Sequence, residues 1–356
     1  MRQVTKNKGF FIENRKIGTE YPPFIVAEMS GNHNQSLERA LEIVDAAAKT
    51  GAHALKLQTY TAETMTLDIK TDEFFISDEN SLWKGRSLYE LYQEAHTPWE
   101  WHAPIMKRAK ELGMLCFSTP FDASSVVFLE TLDVPAYKIA SFENVDLRLI
   151  KKIASTGKPV ILSTGMASIS ELGEAVRTIR EAGCDDFALL KCTSTYPALP
   201  TDSNLSTIPH MRELFDCEVG LSDHTMGLGT AVAAVALGAT LIEKHFTLNR
   251  ADGGVDSEFS LEPHEMSQLV IETKRAWQSL GTVRYGPTEA EKDSLVFRRS
   301  LYVSEDMKNG DKLNENNLRS IRPGLGLQPR FYDIVLGRQV NRDVPRGTAL
   351  SWDLIL

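Results

Sequence analysis

The sequence predicts an α/β fold: a (β/α)8 TIM barrel followed by a small C-terminal β-rich domain. Three observations predict it. Short apolar runs alternate with longer stretches of helical periodicity from residue 24 to about residue 280. The runs number eight, which is the strand count of that barrel. Beyond about residue 281 the chain turns polar, with Pro and Gly punctuating short strand-like segments.

The strand candidates are FIVAE at 24–28, ALKLQ at 54–58, LCFST at 115–119 and AYKIA at 136–140. They continue with VILST at 160–164, FALLKC at 187–192, EVGLS at 218–222 and LIEKH at 241–245. Ahead of them, FFIENRKIG and the YPPF that follows read as a small hairpin capping the barrel's base. A helix over 36–50 starts at Ser36, a residue type that caps free N–H groups. A helix over 98–112 opens with a Thr97 cap and Pro98 in its first turn. A helix over 168–182 has Gly183 just past its end. Residues 229–237 are small and apolar and should pack closely, and a helix over 263–280 closes the set. Residues 59–96 form a long, charged, irregular insert after the second strand, the kind of loop that is either functional or disordered. The expected division is a barrel domain over 1–281, a linker over 282–294 and a small domain over 295–356, too short to bury much core alone.

Composition narrows the function. The 356 residues, 42% hydrophobic and 24% charged, suit a globular chain long enough for one barrel and a second unit. A net charge of −9 lacks the basic footprint of a nucleic-acid binder. Small anions stay open as ligands, because a local basic pocket can oppose the global sign. Cys116, Cys184, Cys192 and Cys217 form no CxxC pair, which argues against a cysteine zinc cage and against a disulfide scaffold. A reducing cytoplasm is the expected compartment, and Cys116 and Cys192 read as inert core thiols. The opening MRQVTKNKGFFIENRK has no apolar core of a signal peptide, and no apolar run has the length of a membrane span.

Barrel chemistry collects at the C-terminal strand ends. Those ends carry Glu28; Lys56 and Gln58; Ser118 and Thr119; Lys138 and Ser141; Ser163 and Thr164. Then come Lys191, Thr193 and Ser194; Ser222, Asp223 and His224; and Glu243, Lys244 and His245. So many polar groups desolvating one another imply a ligand. His224 and His245 end adjacent strands and can share one divalent metal. Asp223 or Glu243 is placed to orient a histidine, and Glu243 serves equally well as a ligand. Strand alternation sends some of Lys56, Lys138, Lys191 and Lys244 inward and others outward. An inward lysine binds phosphate or carboxylate, or forms a Schiff base. With Ser141, Ser163 and Ser222 they point to a substrate with more than one negative group. Glu28 and Glu143 are the candidate acid/base carboxylates, with a first-turn or capping role in a helix over 146–156 as the other reading of Glu143. GNHNQS and GGVDS are loops whose glycines let backbone approach a ligand. The acidic stretches near 71–79 and 289–293 read as solvated faces.

The ordered motifs AEMSGNHN, LKLQTY, FSTPFD, YKIASFEN, ILSTGMAS, CTSTYP, GLSDHT and IEKHFTL resemble the sialic acid synthase family. FRRSLY and IRPGLG are similar to that family's C-terminal SAF, or antifreeze-like, domain. LQTYTAETMTLD and HFTLNRADGGVDSEFSLEP look more like the pseudaminic acid synthase branch than the N-acetylneuraminate branch. The resemblance implies condensation of phosphoenolpyruvate with an N-acetylated hexose and release of phosphate by C–O cleavage. It implies a divalent metal, Mn2+ or Mg2+. For the pseudaminic branch it implies 2,4-diacetamido-2,4,6-trideoxy-L-altrose as the sugar; N-acetylneuraminate and legionaminate synthases are the near alternatives, and a Schiff-base aldolase the mechanistically different one. By motif, His224 and His245 match the metal ligands. Lys56, Lys138, Ser141, Ser163, Ser194 and Ser222 match residues that hold phosphoenolpyruvate, Ser194 standing where many N-acetylneuraminate synthases carry asparagine. Glu28 and Glu143 match the active-site carboxylates, and Gln58, Thr119, Tyr196 and Asp256 match positions near the sugar. Arg322 matches a tail arginine that reaches the sugar across a domain-swapped homodimer. The insert over 59–96 matches nothing closely enough to carry a role.

Overall fold

The computed structural model describes residues 9–77 and 81–356. The first eight residues of the N-terminal stretch and the end of the acidic stretch near 71–79 lie outside them. The chain divides into two compact units, 1–281 and 282–356.

The first unit is a closed eight-stranded barrel. Its strands are β3 (Phe24–Glu28), β4 (Ala54–Thr59), β5 (Leu115–Pro120), β6 (Tyr137–Ile139), β7 (Val160–Ser163), β8 (Phe187–Cys192), β9 (Glu218–Asp223) and β10 (Leu241–His245). All pair in parallel, and β10 closes onto β3 with His245 opposite Glu28. Two short strands precede them, β1 (Phe10–Ile12) and β2 (Arg15–Ile17), paired antiparallel as the expected hairpin.

Alternation along each strand builds two separate cores. One set of side chains, including Ile25, Leu55, Cys116, Tyr137, Leu162, Leu189, Val219 and Ile242, packs against the surrounding helices. The other set, Phe24, Val26, Ala54, Phe117, Ala136, Ile161, Ala188, Leu190 and Leu241, fills the barrel's base together with Phe10, Ile12 and Ile17 of the hairpin. Gly220 belongs to that inner set by position. A Cβ there would lie 2.4 Å from the Leu241 carbonyl oxygen, so only glycine fits.

The helices start where the local chemistry allows. Ser36 accepts from the Arg39 amide and caps Leu37–Thr50. Ser168 and Glu171 form a capping box on Ile169–Glu181. The helix expected from Pro98 begins one residue later: Pro98 itself is the cap residue of Trp99–Glu111, and Thr97 instead binds His33. The insert is also more ordered than its charged composition suggests. Thr59 completes β4, and Leu88–Ala95 is a helix capped by Ser87.

The second unit carries its own apolar core, in which Leu301, Val303, Leu313, Val335, Val340 and Leu350 are buried. That exceeds what its length alone suggested. Strands β11 (Ser300–Val303) and β12 (Leu318–Ile321) pair antiparallel, and single bridges such as Met307 to Val344 tie its turns together. Among the described residues, no helix is long and apolar enough to cross a membrane.

Candidate active site

Two residues beyond the inner apolar layer, the same strands switch to polar side chains. Val26 gives way to Glu28, Ala54 to Lys56, Ala136 to Lys138, Ile161 to Ser163, and Leu241 to Glu243 and then His245. They open onto a cavity of about 440 Å3, lined by Lys56, Gln58, Lys138, Ser141, Glu143, Ser163, Tyr196, Ser222, His224, His245 and Asp256 among others.

Charge is tightly paired there. Lys56 Nζ lies 2.7 Å from Glu28 Oε2 and 3.7 Å from Glu243 Oε1; Lys138 Nζ lies 3.5 Å from the same Glu243 oxygen. Lys138 also donates to Ser163 Oγ at 2.6 Å, and Ser222 donates to Glu243 at 3.2 Å. Gln58 donates to Glu28 at 2.9 Å. Burial lowers Lys56, yet Glu243 and Glu28 outweigh it and hold the ammonium above its usual range. Burial pulls Lys138 the other way, below its usual range. Burial pushes Glu28 up. In Glu243 burial is outweighed by the two lysines, so it stays an anion. Its Oε2 is buried with no hydrogen-bond partner.

Glu143 is different. It ends the 3-10 turn Ser141–Glu143, and its Oε2 is buried and unpartnered. Asp146, not Glu143, caps the helix that follows, Leu147–Ala154, which removes the capping role as an explanation of Glu143. Burial raises its carboxyl to about 7 despite Lys138 nearby. A group poised there holds or yields a proton near neutral pH.

The histidines stand side by side, with ring centroids 5.4 Å apart. His224 Nδ1 lies 2.9 Å from the Thr193 carbonyl oxygen. That contact places a proton on Nδ1. Burial lowers the imidazole, but Cys192 and the Thr193 carbonyl outweigh it and raise the ring above its usual range; in its neutral form Nε2 is the lone pair a metal ligand needs. Burial, then His224 and Lys56, holds His245 well below its usual range, so its ring is neutral. His245 Nδ1 is buried without a hydrogen bond, 3.5 Å from Asp256 Oδ2. Among the described residues, no three His, Cys, Asp or Glu side chains form a ready cage for a metal. The expectation that Asp223 orients a histidine is not met. It points to the opposite face of β9 and binds Lys244 Nζ at 2.8 Å, so the carbonyl of Thr193 takes that part.

Three expected residues do not reach the cavity wall. Thr119 is fully buried, its hydroxyl 3.2 Å from Lys56 Nζ. The hydroxyls of Ser194 and Ser141 crowd Gly165, where a Cβ would approach them to 2.1 and 2.6 Å. Gly165 donates its amide to Ser141 at 3.1 Å, so the glycine keeps that pocket of hydroxyls open. Arg322 is exposed in the second unit, beside a cis bond to Pro323. Cys192 departs from the inert-thiol expectation: it lines the cavity, 3.9 Å from His224 Nδ1. Burial raises the thiol, but His224 outweighs it and brings it down to about 7. Cys116 is a buried thiol that burial pushes up, as expected.

Residues 43–285 match the NeuB family, and residues 298–356 match the SAF domain. The chain belongs to the NeuB family. Among NeuB relatives, it is 45% identical to the pseudaminic acid synthase of Campylobacter jejuni subsp. jejuni serotype O:2, over 94% of this chain and 96% of that protein. It is 45% identical to the pseudaminic acid synthase of Helicobacter pylori, over 93% of this chain and 97% of that protein. The crystal structure of N-acetylneuraminic acid (sialic acid) synthetase from Leptospira borgpetersenii serovar Hardjo-bovis, in complex with citrate, superposes with a TM-score of 0.72 at 34% identity. It covers 81% of this chain and 95% of that one.

Several residues without a role in the motifs also shape this cavity. Ser30 hydrogen-bonds Asp256, and Trp83, Leu91 and Tyr92 of the insert line one wall. Glu243, already offered by the strand ends as a ligand, shares a strand face with His245, two residues away.

Proposed function

We propose that this protein is a pseudaminic acid synthase, condensing phosphoenolpyruvate with 2,4-diacetamido-2,4,6-trideoxy-L-altrose and water to give pseudaminic acid and phosphate. The observation that carries the reading is one cavity holding two buried lysines, two adjacent imidazoles and a carboxyl near pH 7, in a chain 45% identical to pseudaminic acid synthases.

Lys56 and Lys138 bind the phosphate and carboxylate of phosphoenolpyruvate, with Ser141, Ser163 and Ser222 completing the hydroxyl cradle and Ser194 outside it. Gln58, Tyr196 and Asp256 surround the sugar, while Thr119, behind the wall, accepts from Lys56 and steadies it. His224 and His245 hold the divalent metal, Mn2+ or Mg2+. The lone pair left on His224 Nε2, the neutral unpartnered His245 ring and the free Glu243 oxygen fit such an ion. When bound, it supplies Lewis-acid polarisation of the sugar aldehyde.

C3 of phosphoenolpyruvate attacks the aldehyde carbon, and a C–C bond forms. Water adds at C2 and loses a proton, the former aldehyde oxygen gains one, and the C2–O bond to phosphate breaks as the C2 hydroxyl becomes the ketone and its proton passes to the departing phosphate. Glu28 and Glu143 hold and move those protons. Arg322 of a second copy completes the sugar contacts in a domain-swapped homodimer, and deletion of residues 282–356 should then abolish turnover.

The test is phosphate release from phosphoenolpyruvate and manganese with a panel of sugars. Activity with the trideoxy-altrose is the expected result; activity with N-acetylmannosamine alone refutes the assignment. EDTA should abolish turnover, and Mn2+ should restore it. A Schiff-base aldolase is the second reading, favoured by the burial that lowers Lys138. It requires borohydride trapping of pyruvate on that lysine and indifference to EDTA.

A further inference from the structure

The cavity has two unlike walls. One is the charged strand-end set. The other comes from the insert, whose Met65, Ile76, Trp83, Leu88, Leu91 and Tyr92 all face the cavity. The insert is rich in charge, yet among its described residues no Asp, Glu, Lys or Arg side chain lines the cavity; its polar lining is the hydroxyls of Tyr60, Ser81 and Tyr92. Several pair elsewhere: Arg86 binds Glu94, and Glu63 accepts from Tyr89.

Trp83 fixes this wall in place. Its Nε1 donates to the Val255 carbonyl at 2.8 Å, joining the insert to the loop after β10. Its ring lies 5.8 Å from that of Tyr196, which in turn lies 4.5 Å from His224. The indole's one polar atom is therefore used, and what remains for a ligand is apolar ring surface. A ligand seated between the walls meets cations at one end and carbon at the other. A hydroxyl pressed against the Trp83 ring face or the Met65 side chain loses water and finds no partner there, whereas a methyl loses nothing.

We propose that this insert wall, anchored by Trp83, selects the sugar by the oxygen it lacks: a deoxygenated terminal carbon and acyl methyl groups pack on it, and a terminal hydroxyl is rejected. This rests on the pseudaminic reading and assigns its sugar specificity to residues outside the strand-end motifs.

The test compares kcat/KM for the trideoxy-altrose with that for its 6-hydroxylated counterpart, at saturating phosphoenolpyruvate and manganese. An apolar pocket discriminates an added hydroxyl by about 100-fold. Trp83→Ala admits water to the wall and should reduce that ratio by about 10-fold or more, with the KM for phosphoenolpyruvate unchanged. Trp83→Phe keeps the apolar face and should keep the ratio. Met65→Gln sets an amide in the same wall and should reduce the ratio as well, which serves if Trp83→Ala unfolds. A ratio unmoved in both Trp83→Ala and Met65→Gln overturns the proposal while leaving the synthase intact. A wild-type enzyme that accepts only N-acetylmannosamine overturns the pseudaminic reading itself, and this inference with it.

Discussion

The base and the mouth of the barrel are built by the same strands, two residues apart, and obey opposite rules. At the base, Phe117, Leu190, Leu241 and the hairpin's Phe10 and Ile12 exclude water and stabilise the fold. At the mouth, Glu28, Lys56, Lys138 and Glu243 are as deeply buried, but each is charged or titratable. Burying ions this way seldom stabilises a protein more than apolar packing would. The contrast teaches that the fold is carried below and that the mouth is maintained against stability, which is the signature of a working site.

Substitutions at the two ends should separate those roles. The largest effect belongs to Glu143→Gln, which removes the titrating carboxyl and should lower kcat about 10²–10⁴-fold. The inflection near pH 7 in the rate profile should vanish with it. Stability should move the other way. Glu143 is raised from 4.5 to about 7 in the folded protein, so its contribution is fully present below pH 4.5 and is lost as pH rises through 7. Glu143→Gln should match the parent at pH 4 and exceed it at pH 8, by roughly 2–4 kcal/mol in urea unfolding. A variant less stable at pH 8 would contradict the buried, unpartnered carboxylate.

Phe117→Ala comes next. It opens a cavity in the base and should cost about 3–5 kcal/mol of unfolding free energy. Turnover per folded molecule, measured by active-site titration, should be unchanged; a matching loss of kcat would mean that base and mouth are coupled. Ser168→Ala is the smallest. It removes the cap of Ile169–Glu181 and should cost about 1 kcal/mol by thermal unfolding.

The barrel was legible because alternation and capping are local. FIVAE, ALKLQ and LIEKH each announce a strand, and Ser36 and Ser168 mark helix starts within a few residues. Pairings across the fold were not. Asp223 reads as a partner for a histidine, but its cation sits 21 residues on, in the neighbouring strand β10. Glu143 was open between helix and cavity until Asp146 was seen to take the cap. Cys192 looked like a core thiol because strand position alone does not say that the strand's last residue meets a histidine 32 residues away. The insert was least legible, because its charges describe its outside and its cavity wall depends on Trp83 reaching Val255.

The hairpin that seals the base has one more effect. A barrel plugged at one end is a blind alley with a single door. Whatever reaches the lysines of the mouth comes in from the strands' C-terminal side, and whatever is released there leaves by the same side. Entry and exit therefore compete for one opening.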